Sequence, residues 1–184
     1  MKTTLISVAC VFAASMFVGC QSAPRGVSAP VQITDRPGVS NLYADGPVYV
    51  ASQPSAEALR AFAEEGVELV VNFRTDGEMD QLDFDEAKLV ADAGMDYVHI
   101  PIGGANRYTP EALAEFAEAM EAHDGKTLLH CRSGGRVTNF YVAYLVKHRG
   151  YDLNDAYEVG LSLRYRPTPL EQLLDRKIRY HFAD

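Results

Sequence analysis

Four short apolar runs recur along this chain, and segments with helical spacing separate them. They are VYVA (Val48–Ala51), ELVVNF (Glu68–Phe73), YVHI (Tyr97–Ile100) and TLLH (Thr127–His130). ELVVNF is β-branched and apolar, as a strand buried on both faces must be. Between the runs, Leu59, Phe62 and Ala63 share one face of a helix opening near Ser55. A second helix is expected from about Phe84 to Gly94, a residue suited to a left-handed cap. Thr109-Pro110-Glu111 opens a third, with a capping hydroxyl, a proline in the first turn and an acid against the helix dipole. Leu113, Phe116, Ala117 and Met120 then form its apolar stripe. A fourth helix follows TLLH, from Val137 to Gly150. The last begins at Thr168-Pro169 and turns Leu170, Leu173, Leu174 and Ile178 inward. Strands and helices in alternation predict an α/β domain, a central mainly parallel sheet flanked by helices. Ligands of such sheets sit at the carboxyl ends of the strands, which puts Cys131, just past TLLH, at the functional edge.

The 184 residues, 47% hydrophobic and 23% charged, have room for one core-containing domain. A net charge of −8 argues against a general nucleic-acid binder, which needs clustered Lys and Arg, but leaves room for a local pocket holding one anion. The N-terminus reads as an export signal: Lys2, an apolar stretch from Leu5 to Val18, then small residues. FVGC (Phe17–Cys20) resembles the lipobox of bacterial lipoproteins, which implies that Cys20 is lipidated and becomes the mature N-terminus. Gln21 after it resembles the signal for outer-membrane delivery. The expected location is therefore extracytoplasmic, facing the periplasm, with the membrane as a partner through the lipid. From Gln21 to about Ser40 the chain is rich in Pro and Gly without apolar periodicity and reads as a tether. With Cys10 in the signal and Cys20 carrying lipid, Cys131 is left without a disulfide partner, so it is either a buried inert thiol or a reactive one.

The sequence around it is HCRSGGRV. A strand, a cysteine, a glycine loop and a helix start direct several backbone N–H groups at one point, backed by the helix dipole. Gly134 and Gly135 permit the tight fold. Such a field favours a thiolate at Cys131 and makes it a nucleophile. Arg136 contributes a planar fork suited to a tetrahedral oxyanion, and the loop residues Arg132, Ser133, Gly134 and Gly135 would line the anion. His130 is placed to hydrogen-bond the loop or tune the sulfur. Arg107, Tyr108 and Arg132 are candidate rim contacts. No metal-ligand cluster or cofactor motif stands out.

HCRSGGR resembles the active-site loop of cysteine-dependent protein tyrosine and dual-specificity phosphatases, except that four residues, not five, separate Cys131 from Arg136. Rhodanese sulfurtransferases have loops of similar form, so the loop alone leaves both open. The stretch VYVASQPSAEALRAFAEEGVELVVNFRTDGE, together with YVHIPIGGANRYTPEALAEF, resembles the phosphatase-like domain family named for beta-lactamase-hydrolase-like proteins. The likeness runs from about Leu42 to Gly150, and members carry the shortened loop. It implies a phosphatase-like domain over 41–184, after a lipoprotein signal at 1–19 and a tether at 20–40.

The resemblance further implies two-step phosphoryl transfer on a phosphorylated protein or small molecule, possible substrates including phosphotyrosine. Cys131 would attack phosphorus to give a phosphocysteine, while Arg136 and the loop amides held the equatorial oxygens. Related phosphatases carry a general-acid Asp on the loop after HIP. Here that loop reads GGANRY, without a carboxylate. Asp76 is the stand-in expected from the preceding loop, with Glu78 and Asp80 as alternatives. A structural turn with an ion pair among Arg74, Asp76 and Glu78 is the competing reading. Val137 also replaces the hydroxyl residue such loops carry. The other readings kept open are a sulfurtransferase with a persulfide on Cys131 and an inactive phosphate-binding module.

Overall fold

The computed structural model describes residues 28–165 and 169–179; the signal, Cys20 and Thr168 lie outside them. Six strands follow in the order β1 (Val31–Ile33), β2 (Leu42–Asp45), β3 (Val48–Ala51), β4 (Val67–Asn72), β5 (Asp96–His99) and β6 (Lys126–His130). The helices are α1 (Ala56–Glu64), α2 (Asp76–Met79), α3 (Glu86–Asp92), α4 (Pro110–Glu121), α5 (Gly135–His148), α6 (Leu153–Ser162) and α7 (Leu170–Leu174). They form one sheet of order β1-β2-β3-β6-β4-β5. β3, β6, β4 and β5 run parallel, while β1 and β2 add an antiparallel edge. The α/β architecture read from the alternation is the one observed.

The period of two along each strand divides the core into two layers. Leu69, Val71, Phe73, Leu129 and Cys131 face the larger layer, with Leu113 and Phe116 of α4 and Phe140 of α5. Val70 and Leu128 face the other, against Leu59, Phe62 and Val90 of α1 and α3. Phe73, Phe116 and Phe140 meet within 6.3 Å of one another, centroid to centroid, and so fix α4 and α5 on the sheet edge that ends in Cys131.

Local chemistry sets the boundaries. Ser55, Asp85 and Thr109 cap α1, α3 and α4 through their side-chain oxygens. Gly94 takes φ +81° after α3, the left-handed turn its position suggests. α5 starts two residues before Val137, because Gly134 adopts φ +103° and turns the chain directly into the helix.

Residues 31–33 overturn part of the expected tether. Within 20–40 the chain forms β1, an edge strand on β2, and Arg36 lies over the Phe62 ring at 4.4 Å while pairing with Glu65. The stretch lacks periodicity because its strand is three residues long and Val31, 66% exposed, adds little to the core. β2, α2 and α6 are the other elements that the apolar pattern does not separate. Among the described residues no helix is long and apolar enough to cross a membrane.

Candidate active site

β6 delivers Cys131 to the carboxyl edge of the parallel strands, where its thiol is almost wholly covered. The loop then folds back so that the Gly134 amide donates to Cys131 Sγ at 3.1 Å. A left-handed residue is what permits this reversal within three positions, and only glycine adopts it without strain. Tyr165, after α6, lies across the outside of the turn. Its hydroxyl donates to the Ser133 carbonyl, and a Cβ added at Gly134 would come within 3.0 Å of its ring. Asn41 also donates to Ser133 O, at 3.4 Å. Arg132 and Ser133 project outward and are exposed. Thr138, the hydroxyl residue of this loop, bonds back to Gly134 O at 3.1 Å, and Val137 is buried in the core.

Arg136 is the second residue of α5, and its guanidinium reaches the end of β4. It donates to Phe73 O at 2.9 Å and, in a two-point fork, to both carboxylate oxygens of Glu78 at 2.6 and 2.7 Å. The hydrogen bond from Arg136 holds the Glu78 carboxyl down at about 2, against the opposing effect of burial and with help from the Thr75 amide. Arg136 is also within electrostatic range of Cys131. Sulfur, guanidinium and the Gly134 amide therefore share one corner of the fold.

Glu78 sits where it does because α2 is a capping box. Thr75 Oγ1 accepts from Glu78 N, and Glu78 Oε2 accepts from Thr75 N at 2.9 Å. Arg74 anchors the turn from below. Its amide donates to Asn72 Oδ1 at 2.7 Å, and its guanidinium to Gln53 Oε1 and Glu78 O, both at 2.6 Å. The turn expected of Arg74, Asp76 and Glu78 is present, but the ion pair is Glu78 with Arg136, not with Arg74.

Asp76, named as the stand-in acid, opens α2 with its carboxylate 84% exposed, 3.8 Å from His99 Nδ1. It does not line the cleft beside Arg136. Asp80 caps the far end of α2, also exposed, and Glu78 is ionised and occupied. The reason is geometric. The capping box points residue 78, not residue 76, back toward the sheet edge.

His130 is likewise not beside the sulfur. Alternation along β6 sends it through the opposite face, where its Nε2 lies 3.0 Å from Glu86 Oε1 with both side chains inaccessible. Burial opposes ionisation of Glu86, but the charge and hydrogen bonding of His130, with Gln53 and Tyr97, outweigh it and lower its pKa. Asn72 donates to the same Glu86 oxygen at 3.0 Å. Gln53, of the Gln-Pro-Ser segment, and Asn72 and Arg74, of the Asn-x-Arg run, thus meet in one buried network under the loop. Sequence alone gives Gln53 and Asn72 no evident role and Arg74 only a place in the turn, and nothing in it points to Glu86, Asn139 or Tyr165.

Beside Arg136 opens a cleft of about 750 Å³. Thr75 and Glu78 form one wall, Ile102, Gly103 and Gly104 the next, and Tyr108 and Asn139 the side nearest α5. Arg107 is exposed and bonded to Pro101 O at 3.3 Å.

Comparison with known proteins assigns the family. A Beta-lactamase hydrolase-like protein from Xylella fastidiosa is 30% identical over 94 residues, covering 50% of this chain and 22% of that protein. One from Agrobacterium fabrum is 30% identical over 95 residues with the same coverage. The chain thus spans about a fifth of the length of these curated relatives. Among solved structures, a candidate phosphatase from Shewanella putrefaciens is 26% identical and covers 74% of this chain and 90% of its own, with a TM-score of 0.56. P. aeruginosa TpbA, solved as a cysteine-to-serine variant with phosphotyrosine, is 22% identical, covers 76% and 83%, and superposes with a TM-score of 0.58, which speaks to the fold. The family model for the beta-lactamase hydrolase-like protein, phosphatase-like domain, matches residues 44–144, taking in β3 through most of α5 and with them both Cys131 and Arg136. The chain belongs to that phosphatase-like domain family.

Proposed function

We propose that this protein is a cysteine-dependent phosphatase that hydrolyses phosphate monoesters through a phosphocysteine on Cys131. The observation that carries this reading is the corner in which the Gly134 amide donates to Cys131 Sγ at 3.1 Å while Arg136, held by Glu78, stands within electrostatic range. A thiolate is stabilised by an amide donor of this kind and is the form that attacks phosphorus. As the sulfur bonds to phosphorus and the ester oxygen departs, charge rests on the equatorial oxygens, where a fixed guanidinium and loop amides are worth most. Water then displaces sulfur from the phosphocysteine and phosphate leaves. Arg132 and Ser133, exposed at the rim, are candidate contacts to the rest of the substrate. A phosphorylated substrate also accords with the phosphotyrosine bound by TpbA. Phosphotyrosine is our first candidate among the monoesters. Export and lipid anchoring through Cys20 belong to the same reading. They call for detergent-phase partition that is lost in Cys20→Ser.

One observation favours a second reading: Asp76 and Asp80 do not line the cleft, and Glu78, which does, is ionised and paired with Arg136. A sulfurtransferase, carrying a persulfide on Cys131, needs no such acid. Purified protein should release phosphate from an aryl phosphate, and Cys131→Ser should abolish release while still binding inorganic phosphate. Thiocyanate from thiosulfate and cyanide, without phosphate release, would establish the second reading. Phosphate binding without turnover in the parent would leave a binding module.

A further inference from the structure

The loop after β5 carries no carboxylate, yet it does bring one group with a transferable proton into the cleft. Tyr108 ends the short 3-10 turn Ala105–Arg107 and lines the same cleft as Arg136 and Asn139. Its ring stacks on Phe140 of α5, 5.7 Å between centroids at 28°, so the phenol is held on a rigid element. It shares the cleft with Arg136, the guanidinium that would hold the phosphoryl oxygens. Asn139, on the wall of the same cleft, is buried at 8% exposure. Asn139 Oδ1 has no hydrogen-bond partner among the described residues, so it leaves polar capacity for a guest.

Resting on the phosphatase reading above, we infer that Tyr108 is the proton donor to the leaving-group oxygen. In the first step the Cys131 sulfur forms a bond to phosphorus as the phosphorus–ester oxygen bond breaks. The phenolic proton passes to that oxygen, giving a free alcohol or phenol and a Tyr108 phenolate next to Arg136. In the second step the phenolate takes a proton from the attacking water, the oxygen–phosphorus bond forms, and the sulfur leaves as thiolate. Both groups return to their starting forms.

The charged and titratable groups lining the cleft with the phenol are Arg136, Glu78 and Glu171, and the charge of Cys131 also bears on it. Burial raises the phenol's pKa above its ordinary value, the neighbouring Asn139 amide and Arg136 offset this in part, and Cys131 adds to it. The donor therefore stays protonated through neutral pH and is lost only in alkaline solution. A carboxylic acid in this role would be lost near its own, acidic pKa.

The test is a leaving-group series on Tyr108→Phe, which keeps the ring that packs on Phe140. General acids contribute on the order of 100- to 10,000-fold, and most where the leaving group is poor. We expect kcat/KM of the variant for phenyl phosphate to fall by about 100-fold or more while that for para-nitrophenyl phosphate changes less than about threefold. The alkaline limb of the parent's pH profile should also be absent in the variant. An equal loss on both esters, or no loss on either, overturns the assignment of Tyr108 and leaves the phosphatase reading standing. A parent that releases no more phosphate than Cys131→Ser from any ester overturns both. Circular dichroism and a matched unfolding midpoint show that the variant is folded.

Discussion

Replacing Glu78 by Gln tests the contact that fixes Arg136. Gln keeps the capping box and the shape of the side chain but removes the negative charge. The depression of the Glu78 carboxyl from 4.5 to about 2 corresponds to about 3 kcal/mol of linkage free energy. The side chains are 16% and 23% exposed, so solvent screening trims the stability difference to about 2 kcal/mol. Because the folded-state pKa lies below the unfolded one, the stabilisation is complete above about 4.5. It drains away as the pH falls through about 2. Urea unfolding of both proteins, at neutral pH and at steps down through that window, should show a gap that is widest at neutral pH and closes towards the acid end. Phosphate affinity should fall as well, since a released guanidinium no longer faces the sulfur corner. A difference near zero at neutral pH, or one that does not change with pH, would falsify the view that the Glu78–Arg136 fork is a formed, charge-based contact.

Gly134→Ala forces a side chain into φ +103° and within 3.0 Å of the Tyr165 ring, for an expected loss of about 2–4 kcal/mol in urea unfolding. Gly94→Ala, at φ +81° with nothing near the added carbon, should lose only about 1 kcal/mol, and equal losses at the two sites would remove the role given to Tyr165. Asp76→Asn should leave kcat/KM within about twofold of the parent; a loss on the order of 100-fold would restore Asp76 as the acid. Glu86→Ala strips the inaccessible partner from His130 and should destabilise the domain by about 3–5 kcal/mol in thermal or urea unfolding, a loss under about 1 kcal/mol counting against the buried pair.

The alternation of β-branched runs with amphipathic segments determined the layered α/β fold, because burial on two sheet faces and on one helix stripe leaves its period in the residues themselves. It determined Cys131, Gly134 and Arg136 as one unit for the same kind of reason: they are neighbours along a loop whose conformation is local. β1 leaves no period in the residues, since an exposed three-residue edge strand obtains its order from the β2 backbone, not from its own side chains. Only the tertiary structure decided the partners drawn from distant segments. It gave Arg136 to Glu78, sent His130 through the far face of the sheet to Glu86, left Asp76 in solvent and laid Tyr165 over the glycine turn. Such pairings depend on where β4, α2, α3 and the end of α6 meet in space. No local period encodes that meeting, because it is set by how the two core layers pack against a single sheet.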